Sequence, residues 1–95
     1  MFAVILTYIR PLAEVDQSVA EHRAFLADFY AAGFGIASGR QPDASGGVVI
    51  ATAPSRAALD AELAKDPFKA RGLARYDIYE FTPMTIHPAL KGVVS

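Results

Sequence analysis

Cysteine is absent from the 95 residues. With it go disulfides, thiolate zinc sites, iron–sulfur clusters and cysteine nucleophiles. Charge of one sign is missing too: nine basic residues stand against ten acidic ones, for a formal net charge of −1. Nucleic-acid binders show a basic face or stripe; this chain has no run of like charges, so no nucleic-acid partner is expected. The apolar opening, Met1 to Ile9, is far too short to span a bilayer. It also lacks the basic n-region and small-residue cleavage site of a signal peptide. A first strand, no membrane partner and a cytoplasmic location are the expectations. No GxGxxG or P-loop is present. The two histidines, His22 and His87, lack the helical His-x-x-x-His spacing that makes a strong metal case. Neither metal nor cofactor is expected.

What is present is a globular composition, 53% hydrophobic and 20% charged. The length fits one domain over residues 1–95. A chain of this size buries roughly two-thirds of its unfolded surface without needing staples. The apolar fraction is high for a small body with much surface, a first sign of an interface.

Four strands and two helices follow from pattern. Phe2 to Ile9 is β-branched, aromatic and apolar on both alternating faces, as in a strand covered on both sides; Arg10-Pro11 ends it. The first helix is capped by Asp16 or Ser18, with Ser18 and Glu21 fitting a capping box. Val19, His22, Leu26 and Phe29 form its apolar face, and Gly33 ends it. Phe34 to Gly39 reads as a second strand and Gly47 to Thr52 as a third, joined by the turn-rich loop 40–46. Ser55 caps the second helix, Leu59 and Leu63 bury it, and Asp66-Pro67 closes it. Leu73 to Phe81 is the fourth strand, ended by Thr82-Pro83. A tail, 84–95, contains a possible helical turn at His87-Pro88.

The order βαββαβ is that of the ferredoxin-like fold, an α+β class with an antiparallel sheet. Right-handed crossovers place both helices on one face. One end of the molecule then collects the start of the first helix with His22, the end of the second with Asp66, and the end of the first strand with Tyr8 and Arg10. The loop between the second and third strands brings Ser38, Gly39 and Arg40 to the same rim. The other sheet face has no helix, yet Ile5, Ile9, Val48 or Val49, Ile50 and the aromatics of the fourth strand make it apolar. The natural cover is the same face of a second copy about a two-fold axis. A homodimer, a dimeric α+β barrel, is the expectation.

His22 and Asp66 are the candidate chemistry. Each has an ordinary reading: a hydrogen-bonded boundary histidine, and a pre-proline turn former. An aspartate in the last turn of a helix faces the negative dipole end, at a cost of roughly 0.3–1 kcal/mol. Paired, the two have a function. Asp66 would fix the imidazole tautomer and leave the other nitrogen for proton transfer. Arg10 and Arg40 could clamp a carboxylate substrate, against the commoner role of solvated surface arginines. Tyr8 and Ser38 are donors into the pocket or packing residues, and Gly39 is a turn glycine at its edge.

These residues resemble a family, the YciI-like (YCII-related) proteins, over nearly the whole chain. The resemblance rests on the apolar first strand, Glu21-His22-Arg23-Ala24-Phe25-Leu26, the glycine-flanked second strand and Gly46-Gly47-Val48-Val49-Ile50. Lys65-Asp66-Pro67-Phe68 completes it. It implies a ferredoxin-like protomer that dimerises and a His–Asp active site, here His22 and Asp66. Relatives resemble muconolactone isomerase in fold, and some are linked to dechlorination of aromatic-degradation intermediates. The expected function is cofactor-free acid–base catalysis of the isomerase, lyase or dehalogenase kind on a small anionic or aromatic-derived substrate. The alternative is a non-catalytic, dimeric small-molecule-binding or regulatory module. RNA-recognition motifs share βαββαβ but stack bases on aromatics of the third strand, and Gly47 to Thr52 has none.

Overall fold

The computed structural model describes residues 1–93. Residues 94 and 95 of the expected tail lie outside the described residues. Strands β1 (Phe2–Tyr8), β2 (Gly35–Arg40), β3 (Gly46–Ala51) and β4 (Ala74–Glu80) form one antiparallel sheet in the order β2-β3-β1-β4. Helices α1 (Leu12–Asp16) and α2 (Val19–Ala31) connect β1 to β2. Helices α3 (Arg56–Leu63) and α4 (Pro67–Ala70) connect β3 to β4. The fold is ferredoxin-like α+β.

The core lies between sheet and helices. Alternation along β1 sends Phe2, Val4 and Leu6 under the helices, each at most 3% exposed. They sit opposite Ala51, Val49 and Gly47 on β3. Phe25 and Phe29 of α2, Leu59 and Leu63 of α3 and Phe68 of α4 close over them. Each such burial stabilises by about 1.5–3 kcal/mol relative to exposure. Glycine is required at position 46: a Cβ there would lie 1.7 Å from the Leu6 carbonyl oxygen. Gly33 takes φ +90° just past Ala32, the C-cap of α2, the left-handed turn that ends helices.

The opposite sheet face carries no helix. Val49 is buried on the helix side, so Val48 belongs to the open face. It pairs with Ile5, and Ile50 pairs with Ala3. Tyr79, paired with Ala3 on the other flank, is 62% exposed. Among the described residues no helix is long and apolar enough to cross a membrane.

Three expectations need correction. A separate helix, α1, precedes the long one; Pro11 sits at its N-cap with φ −54° and Val15 anchors it in the core. The capping box does not form. Ser18 stands at the N-cap of α2 without a side-chain cap bond, and its Oγ instead accepts from Arg71 Nη1 at 2.7 Å. Asp66 is not in the last turn of α3. That helix ends at Leu63, and Asp66 is the N-cap of α4 with φ −69° and ψ 124°. Pro67 at the first helical position imposes this, because the residue before proline avoids the α region. The carboxylate therefore meets the positive end of a helical turn, the favourable one. Ser55 does cap α3, its Oγ accepting from Ala58 N–H at 3.1 Å.

Candidate active site

The site begins with the turn between α3 and α4. Asp66 N–H bonds the Leu63 carbonyl at 3.0 Å, which swings its side chain inward, where the residue is 1% exposed. Its Oδ1 accepts from Phe68 N–H at 3.1 Å. The first turn of α2 brings His22 to the same point. His22 Nδ1 lies 2.8 Å from Asp66 Oδ1. The imidazole stacks on the Phe68 ring, centroids 3.9 Å apart and planes 2° from parallel, with Phe25 6.4 Å away.

A third residue arrives from the sheet. Tyr76, opposite Leu6 in the β1–β4 register, donates its O–H to Asp66 Oδ2. Burial first, and then the Asp66 charge, push the Tyr76 phenol far above its usual range, so it remains a donor. Asp66 thus receives three hydrogen bonds, and no buried side-chain polar atom among the described residues lacks a partner. A carboxylate only accepts. The hydrogen between His22 and Asp66 therefore sits on Nδ1, and Nε2 is the ring nitrogen that Asp66 does not engage.

The His22 side chain is 15% exposed, at the wall of a cleft of about 320 Å³. Tyr8 of β1, Arg23 of α2, and Ser38, Gly39 and Arg40 of β2 line it with His22. Tyr8 meets Phe68 edge to face, centroids 5.9 Å apart. Arg40 lies with its guanidinium carbon 5.9 Å from the Tyr8 ring centre and Nη2 3.4 Å from Asp16 Oδ1. Ser38 Oγ accepts from Tyr30 O–H at 2.8 Å, leaving its own hydrogen for a ligand. Gly39 pairs with Val48, so it offers backbone to the cleft.

Arg10 is placed elsewhere. It does not line the cleft; its Nε bonds Glu14 Oε2 at 2.7 Å. Pro11 turns the chain into α1, and Glu14, four residues on, takes the guanidinium at the surface. Two residues were not anticipated. Tyr76 is one, since only the strand register shows what it faces. Arg71 is the other. From the end of α4 it reaches Ser18 at the N-cap of α2 and Glu21 in its first turn, tying the segment that bears Asp66 to the segment that bears His22. Among the described residues no group of three or more His, Asp or Glu side chains is arranged to hold a metal ion.

Residues 1–82 match the YCII-related domain. The chain belongs to that family. Among solved structures it is similar to 5-chloro-2-hydroxyhydroquinone dehydrochlorinase from Burkholderia phenoliruptrix AC1100, in complex with 2,5-dihydroxybenzoquinone. The TM-score is 0.70 at 22% identity, covering 86% of this chain and 94% of the other. At that identity the likeness is one of fold, and it agrees with the ferredoxin-like topology. No curated protein sequence matches the chain. Membership of the YCII-related family accounts for the pattern of the sequence from the first strand through the fourth.

Proposed function

We propose that this YCII-related protein is a cofactor-free acid–base enzyme. Its substrate is a small anionic or aromatic-derived molecule, and its reaction is an isomerisation or elimination, dehalogenation included. One observation carries the reading: the 2.8 Å contact between His22 Nδ1 and a fully buried Asp66 beside an open cleft. His22 Nε2 takes a proton from a substrate O–H or activated C–H. Asp66 stabilises the imidazolium that results. The electron pair left on the substrate then follows one of two routes. It expels a leaving anion such as halide, or it shifts along the conjugated system and takes the proton back from His22 at another atom. Arg40 and Arg23 line the cleft and would supply charge to an anionic oxygen.

The dehalogenase arm draws support from the fold neighbour, whose named substrate is a chlorinated, hydroxylated aromatic ring. The open apolar sheet face supports a homodimer through that face, the arrangement that would close two protomers into a barrel.

The test is a panel of hydroxylated aromatics with and without a ring halogen, followed by absorbance and halide release. For a member that is turned over, His22→Gln is expected to lower kcat by at least about 100-fold with little change in binding. Ligands that bind the cleft, seen as shifts of His22 and Tyr8 resonances, without any turnover would replace this reading with a non-catalytic binding module.

A further inference from the structure

Three links hold Asp66 in place, and they are not equivalent. The Phe68 N–H bond and the His22 contact both engage Oδ1. Both grip one oxygen and leave the other edge of the carboxylate without a donor from the helices. The third link, from Tyr76, engages Oδ2, and it comes from β4 rather than from the helices. Tyr76 therefore supplies what the helical layer does not: a donor to the second oxygen, which holds the carboxylate against the sheet.

The ring of Tyr76 is itself held. It is in register with Leu6, which is 3% exposed, and Lys69 Nζ lies 5.5 Å from its ring centre. The hydroxyl has a single task, since its partner is a buried carboxylate.

We propose that Tyr76 is a positioning residue of the site: by pinning Asp66 Oδ2 it aims Oδ1 at His22 and locks the imidazole in the tautomer with hydrogen on Nδ1. This rests on the acid–base reading of His22 given above, but its test does not require a substrate. Tyr76 does not line the cleft, so it acts through Asp66 and not on a ligand. Loosening the carboxylate lets the imidazole exchange its Nδ1–H partner for water and populate the tautomer with hydrogen on Nε2. In that form Nε2 can no longer accept a proton.

The experiment is ¹⁵N–¹H correlation of the His22 ring in mildly alkaline buffer, for the wild type and Tyr76→Phe. The phenylalanine keeps the ring that packs against the core and removes only the hydroxyl. The wild type is expected to show one tautomer, with Nδ1 protonated. In Tyr76→Phe the minor tautomer is expected to grow roughly tenfold, the weight of one charge-assisted hydrogen bond. A wild-type phenol proton protected from exchange and correlated in space with Asp66 is the second expected signature, and it holds even if the variant fails to fold. An unchanged His22 tautomer in a folded Tyr76→Phe overturns the proposal, as does a phenol proton in rapid exchange. A wild type without the Nδ1–H preference sinks the His–Asp reading together with the Tyr76 role. Absence of turnover on every substrate, with the tautomer lock intact, sinks only the enzyme.

Discussion

The molecule has two histidines, and their surroundings are opposites. At the cleft wall His22 Nδ1 donates to a buried carboxylate. At the N-cap of the turn Pro88–Leu90 the exposed His87 does the reverse, its Nδ1 accepting from Ala89 N–H at 3.0 Å. The same atom is protonated in one and bare in the other. At His87 the imidazole is a cap, interchangeable with any short acceptor. At His22 it is the visible end of a network drawn from α2, the 63–67 turn and β4. The difference teaches that a histidine's chemistry is set by which of its nitrogens the fold occupies, not by its mere presence.

Removing the network's hub should separate the two regions most sharply. Asp66→Ala strips the N-cap of α4, leaves Tyr76 O–H without an acceptor and frees His22. A loss of roughly 2–4 kcal/mol is expected, read as a melting temperature lower by roughly 10–20 °C. His22→Ala should cost less, about 1–2 kcal/mol, because Asp66 keeps the Tyr76 and Phe68 bonds. A denaturant titration would order the two variants, and the reverse order would show that the imidazole, not the carboxylate, organises this corner. The arginines test the cleft's boundary. Arg40→Ala should weaken an anionic cleft ligand about tenfold, one charge-assisted contact, while Arg10→Ala should leave calorimetric affinity unchanged. His87→Ala closes the series, with a stability change of about 0.5 kcal/mol or less and no movement of the His22 resonances.

Most of the sheet and the meeting of His22 with Asp66 were legible in the sequence. Apolar alternation and proline stops placed the strands to within a residue or two, and right-handed crossovers fixed the directions that bring both side chains to one end. Tyr76 was not legible. It reads as another aromatic of the fourth strand until the register sets it opposite Leu6. The contact of Asp66 with His22 was legible but not its backbone setting, because a single turn such as α4 has too little periodicity to stand out from the helix before it. The Ser18–Glu21 pattern misled for a physical reason. A serine hydroxyl and a glutamate can satisfy a helix end or an arginine, and Arg71, fifty or more residues away, competes for both. For Arg10 the clue is local: Glu14, four residues on, takes its guanidinium.

The flat stack of Phe68 against His22 has a meaning of its own once the imidazole carries charge. A benzene face attracts a cation, and the residue that supplies it stands two positions after the counter-ion. Asp66-Pro67-Phe68 is then a miniature receptor whose guest is tethered to the same chain. It offers a carboxylate at the guest's edge and a π surface against its face, with proline stiffening the link between them. Phe68 thereby takes a share in electrostatics that its hydrocarbon side chain conceals. Exchanging it for leucine would preserve the apolar packing yet leave the charged ring with one partner instead of two.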